Sequence, residues 1–452
     1  MGTKDICKKL NRMSYPKRIA IGYLFIIVLG TVLLSLPAAS NDSQSIGFLG
    51  ALFTSTSASC VTGLIVADTY TQWSLFGRIV ILCLIQIGGL GFMSFAAMFA
   101  LFFHKRIGLG MRDMLKESIN TFSIGGIVEL FKLILKGTLL FEGTGAVILS
   151  IRFLKYFPPL KAIGYGIFHA VSSFCNAGFD LAGCIEPNAS FSVFNNDPVI
   201  CLTLCFLVII GGIGFLVWED VRKNGIHFKS YLLHSKIALS MTTILLVAGT
   251  GIYLIMEYNN TLEGMGLIQK ILVSFYQSVT PRTAGFSFTD TVAMAPSTKL
   301  FTMFLMFVGG SSGSTAGGAK VTTVAVILIS TITSLTGRKT DEIFGRRLEA
   351  DAVRRATFVI TIDFSLAFIA ALVISAVDST LPIIDIMFET VSAIGTVGIT
   401  ANVTPYLSRL SRYIIIILMY CGRVGSTSFT MLFMDRKPQP SVTRPEEKIN
   451  IG

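Results

Sequence analysis

The segment Ala51–Leu64, ALFTSTSASCVTGL, closes on Val61-Thr62-Gly63-Leu64 and returns three times along the chain. Gly166–Phe179 reads GIFHAVSSFCNAGF, Val273–Phe286 reads VSFYQSVTPRTAGF, and Ile386–Ile399 reads IMFETVSAIGTVGI. Each carries a glycine one residue from its end: Gly63, Gly178, Gly285 and Gly398, lying 115, 107 and 113 residues apart. Ten residues before each glycine stands a phenylalanine: Phe53, Phe168, Phe275 and Phe388. A repeat of this period in an apolar chain predicts four related units built around one centre.

The surrounding sequence sets the class. Of 452 residues, 52% are hydrophobic and only 14% charged. Runs such as RIAIGYLFIIVLGTVLLSLP (18–37) and PVICLTLCFLVIIGGIGFLVW (198–218) are long enough to cross a bilayer, which takes about 20 apolar residues. The net charge of +11 raises nucleic acid as a partner. Its distribution argues for membrane lipid as the surroundings instead. Lys and Arg cluster in alternate loops, around 8–18, 105–116, 222–236, 338–355 and 436–437, while the loops between hold Asp42, Asp68, Asp180, Glu186 and Asp197. That is the positive-inside pattern; it places both termini in the cytoplasm of a multi-pass protein and leaves no nucleic-acid footprint. The first span is too long for a signal-peptide core and reads as a retained helix. None of the eight cysteines forms a CxxC pair. Most sit in apolar runs as small buried side chains, and Cys175 and Cys184 leave a disulfide open.

The chain divides into four tandem units: 1–103 with an N-terminal arm, 104–220, 221–332, and 333–452 with a polar tail. Each reads as a spanning helix, a shorter segment, a glycine turn and a second span. The first spans are expected near 18–37, 127–157, 230–257 and 352–378. The shorter segments are expected near 46–60, 161–175, 265–281 and 382–395, too short to cross and therefore re-entrant. The second spans are expected near 76–103, 198–220, 299–332 and 410–434. The fold class is thus an all-α polytopic membrane protein with eight spans and four re-entrant helices around a pseudo-fourfold pore. Ile87-Gly88-Gly89-Leu90-Gly91-Phe92 matches Ile210-Gly211-Gly212-Ile213-Gly214-Phe215, which reads as close helix packing. The third unit instead carries Gly309-Gly310-Ser311-Ser312-Gly313-Ser314-Thr315-Ala316-Gly317-Gly318, a run that cannot hold a firm helix. Broken backbone at membrane depth is tolerated only where it is buried or lines water.

A dehydrated cation needs several oxygen ligands, and four turns meeting on one axis can supply rings of backbone carbonyls. Glycine allows the backbone angles that turn successive carbonyls inward. The candidate ion ligands are Val61, Thr62 and Gly63; Asn176, Ala177 and Gly178; Thr283, Ala284 and Gly285; and Thr396, Val397 and Gly398. The unit resembles a potassium-channel pore loop, and the four turns together resemble the filters of the Trk/Ktr/HKT superfamily, nearest to the bacterial Ktr-type membrane subunit. The resemblance covers nearly the whole chain. It implies a pore in each subunit of a homodimer, regulation by a cytosolic ring of nucleotide-binding RCK subunits, potassium as the transported substrate, and no organic cofactor in this chain. It also implies a gate formed by Gly309–Gly318, with Arg423 of the fourth unit beside it. A charge centred in a span is costly, so Arg423 should face water or a partner, and loop carbonyls or Ser311, Ser312 and Ser314 are expected to hold it. Each filter lacks the Tyr-Gly of ordinary potassium channels, which keeps sodium permeation or sodium dependence open.

Other charges read as structural. Arg282 and Glu389 flank filter turns and are expected to form a buried support pair. Glu142, inside a span, is expected to be paired or near an interface. The spans lack the paired carboxylates, histidine clusters or nucleophiles of an enzyme. An inverted-repeat transporter would alternate orientation between repeats; here each unit has an even number of spans. Selective potassium conduction is the leading reading. The alternative is sodium-selective or weakly selective uptake on the same fold.

Overall fold

Four long helices carry the first stroke of each unit: Tyr15–Leu34, Ile127–Phe153, Leu233–Glu257 and Ala352–Val377. The computed structural model describes residues 13–42, 44–91, 94, 97–98, 108–119, 126–186, 190–425, 429 and 447. Among these residues, those four helices are long and apolar enough to cross a membrane unbroken. Their outer faces leave Leu24, Phe25, Val28, Leu139, Leu140, Val247, Phe364 and Leu372 exposed, as lipid-facing surfaces require. The expected tail 435–452, most of the arm, and residues 92–93, 95–96 and 99–107 across the end of the first unit and the start of the second lie outside the described residues, apart from 447.

Each first helix is followed by a short one: Phe48–Ser59, Pro159–Phe174, Leu267–Val279 and Ile383–Gly395. At 12 to 16 residues these measure roughly 18–24 Å and cannot span. Phe53 and Phe388 are wholly buried and Phe168 nearly so, anchoring these helices in the core. All four point their C-terminal ends at one place, where the glycine turns begin.

In the first, second and fourth units the second helices depart from the expected continuous spans, while the third is interrupted at the expected glycine-serine run. They run Leu75–Leu90, Pro198–Gly212, Pro296–Phe307 and Arg409–Val424. Their starts are fixed by sequence: Ser74, Asp197 and Ser408 cap three of them through their side chains, and Pro198 and Pro296 occupy first-turn positions. Three stop at equivalent glycines with nearly the same backbone: Gly91 at φ 86° and ψ 140°, Gly214 at φ 102° and ψ 137°, and Gly425 at φ 87° and ψ 137°. Only glycine adopts that conformation without strain. After Gly214 the chain turns by 92° into Phe215–Asn224. The third helix stops at Phe307, and the helix resumes only at Val321–Leu335. The glycine-rich stretches are therefore breaks as well as packing sites. A methyl at Gly88, Gly211 or Gly422 would lie 2.2, 2.0 or 2.0 Å from the carbonyl oxygen of Ser59, Phe174 or Ile394. These carbonyls belong to the C-terminal turns of three pore helices.

Beyond the bundle, Leu109–Ile119 forms a polar helix, and Glu342–Ile343 pairs antiparallel with Arg346–Arg347, Glu342 opposite Arg347. Among the described residues, strand pairing is limited to this small hairpin and an isolated bridge between Ser40 and Trp73.

Candidate functional site

The four glycine turns meet and close a ring in chain order. A methyl added to Gly63 would lie 2.7 Å from the Ala177 oxygen, one on Gly178 3.1 Å from Ala284, one on Gly285 2.9 Å from Val397, and one on Gly398 2.0 Å from Thr62. Each glycine therefore abuts the middle carbonyl of the next repeat. The backbone alternates in the same way in all four. The residue two before each glycine is left-handed: Val61 at φ 57°, Asn176 at 59°, Thr283 at 68° and Thr396 at 50°. The glycines themselves follow at 93°, 70°, 81° and 89°. Three of the four non-glycine residues are β-branched, for which positive φ costs about 1–3 kcal/mol each. Such strain persists only when the surroundings enforce it.

The enforcing groups come from the pore helices. The Ser57 hydroxyl accepts the Gly63 N–H at 3.0 Å, and Ser392 accepts that of Gly398 at 3.0 Å. Ser172 accepts the Phe179 N–H at 3.1 Å and donates to its carbonyl at 2.7 Å. The third repeat has Val279 at this place, and Thr280 donates to the Phe286 carbonyl instead. These serines were missed in the sequence. The available signal is a serine four residues after the repeated phenylalanine in three of four segments.

On one side the glycines line a cavity of about 420 Å³. Asp68, Asp180, Glu186 and Asp290 also line it, and among the described residues none of its walls is basic. Burial, and then the charge of Asp68, push the Asp180 carboxyl up to about 6, against the opposing Ala182 N–H and Ser190 hydroxyl.

On the other side lies the glycine-serine loop. It is closed on itself by Gly309 N–H to the Ala319 carbonyl at 2.8 Å and Val321 N–H to that of Gly310 at 3.0 Å. Ser311 and Thr315 donate their N–H groups to the exposed carbonyls of Gly212 and Gly211, at 2.9 and 3.2 Å. The Thr315 hydroxyl donates to the Phe174 carbonyl at 3.1 Å. A methyl on Gly317 would lie 2.0 Å from the Thr396 hydroxyl. The loop thus rests directly against the starts of the second and fourth glycine turns. Arg423 donates to the Thr315, Gly88 and Gly89 carbonyls, the last at 3.1 Å. It binds backbone rather than Ser311, Ser312 or Ser314, because the broken helix end and the loop present carbonyls with room for a further donor. Lys320 donates to the Ala316 carbonyl at 2.7 Å within the same loop.

Arg282 and Glu389 do not form the expected pair. Arg282 donates to the Thr242 hydroxyl at 3.2 Å. Glu389 accepts from the hydroxyls of Thr400 and Thr404 and so ties its pore helix to the chain leaving the filter. Glu142 is partnered as expected, accepting from Gln86 at 3.2 Å and from the Cys175 thiol at 3.8 Å. Cys175 and Cys184 are both free thiols.

The TrkH family of cation transport proteins matches residues 7–444. The chain is 41% identical to the potassium/sodium uptake protein NtpJ of Enterococcus hirae, over 98% of each chain. It is 39% identical to the Ktr system potassium uptake protein B of Bacillus subtilis, over 99% of each. The crystal structure of the potassium transporter TrkH from Vibrio parahaemolyticus superimposes with a TM-score of 0.70 at 18% identity, covering 92% of this chain and 85% of that one, which establishes a shared fold.

Proposed function

Since the chain belongs to the TrkH family of cation transport proteins, we propose that it is the ion-translocating subunit of a potassium uptake system. The observation that carries this reading is the closed ring of four turns. Each turn pairs a left-handed residue with a left-handed glycine and abuts the carbonyl of its neighbour. Stacked carbonyls of this kind replace an ion's hydration shell, and the acidic mouth concentrates cations above them. Val61–Gly63, Asn176–Gly178, Thr283–Gly285 and Thr396–Gly398 are the ligands in this proposal. The loop Gly309–Gly318 with Arg423 is the gate, lying across the path on the side away from the acidic mouth.

The mouth faces outward and both termini face the cytoplasm of a plasma-membrane protein, in accord with the loop charges. The units 1–103, 104–220, 221–332 and 333–452 are its repeats. The Bacillus subtilis relative is described as a component of a system, which fits a homodimer working with a cytosolic RCK ring. The second reading, combined potassium and sodium uptake or sodium dependence, is favoured by the name of the Enterococcus relative and by filters with one glycine each.

Complementation of potassium-uptake-deficient cells, with and without a co-expressed RCK subunit, tests the proposal. Restored growth at low potassium is the expected result. Sodium flux without potassium flux would favour the second reading. Gly→Ser at each of the four glycines should weaken potassium affinity or selectivity more than it lowers protein level; four variants of parental affinity and selectivity would remove the filter assignment.

A further inference from the structure

The inner ring of the filter is not fourfold in its side chains. Val61, Asn176, Thr283 and Thr396 share one backbone conformation, yet only Asn176 carries an amide. Its side chain is fully buried. Its Nδ2 donates to the Arg282 carbonyl at 3.1 Å and to the Thr283 hydroxyl at 3.2 Å. Both acceptors belong to the third repeat, so the amide crosses the seam between two repeats at the level of the first ion ligands. The Thr396 hydroxyl, at the equivalent place, is buried without a hydrogen-bond partner, as is the Thr62 hydroxyl one residue on from Val61. The Asn176 Oδ1 is likewise buried with nothing donating to it. A buried acceptor in that state is costly unless a cation or a water reaches it.

Two physical effects follow. A hydrogen bond across the seam fixes the spacing of neighbouring turns, so that side of the ring resists the contraction that the smaller sodium ion demands. The donated N–H groups also occupy the Arg282 carbonyl and the Thr283 hydroxyl, two oxygens that border the proposed ligand carbonyls, so these add less field to the inner site. Weaker, more widely spaced oxygens favour the larger and less strongly hydrated potassium ion. Both ligand spacing and ligand field strength have been invoked for selectivity in carbonyl filters, and here both effects act in the same direction. Asparagine also tolerates the left-handed backbone this position requires.

We propose that Asn176 is a specificity-determining residue that biases the inner filter site toward potassium by bridging the second and third repeats. The proposal rests on the reading of the four turns as the filter. The test is the reversal potential of the full-length protein in liposomes under opposed potassium and sodium gradients. Asn176→Gly removes the amide and keeps the backbone free to adopt positive φ. It should raise the sodium-to-potassium permeability ratio by roughly tenfold, the factor carried by one net hydrogen bond. Thr283→Val removes one acceptor and should move the ratio the same way by less. The double variant should not exceed Asn176→Gly alone, because both changes break the same link. If Asn176→Gly does not reach the membrane, Asn176→Thr takes its place, being the residue already present at two of the four positions. A parental ratio in the Asn176 variant, with Gly178→Ser changed in the same assay, overturns the proposal and leaves the filter reading standing. A parental ratio in Gly178→Ser as well overturns both.

Discussion

Ser392 holds the amide of Gly398 from behind at 3.0 Å, and Ser57 does the same for Gly63. Removing either hydroxyl leaves a buried N–H without its acceptor, a cost of about 1–3 kcal/mol placed on an already strained turn. Ser392→Ala is therefore expected to lower the melting temperature modestly and to weaken potassium affinity together. A Thermofluor shift with wholly parental ion affinity would show that the serine serves folding alone. Asp180 gives a second residue-scale expectation. Its carboxyl is pushed up to about 6, so it is ionised above that pH and neutral below it. Protonation removes a negative charge from the acidic lining of the cavity. Uptake at subsaturating potassium should fall as external pH drops from about 7 to about 5. Asp180→Asn should be low and flat across that window. A parent protein whose uptake stays flat there would take Asp180 out of the ion path.

The second helices show how an element can be broken by design. Each must approach a pore helix closely enough that Gly88, Gly211 and Gly422 touch carbonyls of the pore-helix ends. Breaking the helix just beyond frees carbonyls, and the structure uses them: Gly211 and Gly212 bind the glycine-serine loop, while Gly88 and Gly89 bind Arg423. Arg423 stands where the first and second repeats have Gly89 and Gly212, so one repeat supplies a cation where the others supply space. The loop is thus held by hydrogen bonds from the second and fourth repeats, with Arg423 tying it on to the first, and no regular helix has to melt when it moves. Deleting residues 310–317 is expected to raise flux through vesicles and weaken nucleotide control. Arg423→Ala should do so in part, since the loop keeps its bonds to Gly211 and Gly212. Flux that stays low and fully nucleotide-dependent after the deletion, at normal protein level, would place the gate elsewhere.

At the scale of the molecule, the glycine turns open on a cavity lined by acidic side chains, while the hairpin carries basic surface. Arg346, Arg347 and Arg354 are exposed on and just after the hairpin, and Arg355 pairs with Glu349. Surface arginines of this kind contribute little to stability, which leaves topology, anionic lipid or a partner as their use. Charge reversal at Arg346, Arg347, Arg354 and Arg355 is expected to abolish co-purification of a regulatory ring while preserving orientation and fold. Undiminished ring binding would restrict these residues to setting topology.

Read alone, the sequence determined the class, the fourfold recurrence of the glycine segment and the position of each glycine turn. Those features are local: an apolar run, a phenylalanine, and a glycine ten residues on are written along one stretch of chain. The first helices and pore helices fell close to their expected limits for the same reason, since hydrophobic length and proline or glycine punctuation set them. The contact of Arg423 with a loop carbonyl was legible, but most other contacts between repeats were not. Asn176 meets Thr283 across 107 residues, and Arg423 meets Gly89 across 334. Arg282 and Glu389 looked like partners by charge but went to separate hydroxyl groups. A glycine in an apolar span reads equally as close packing or as a break. Only the packed structure decides, because the break at Gly91, Gly214 and Gly425 is stable once its freed carbonyls and the pore-helix ends have found partners in other repeats.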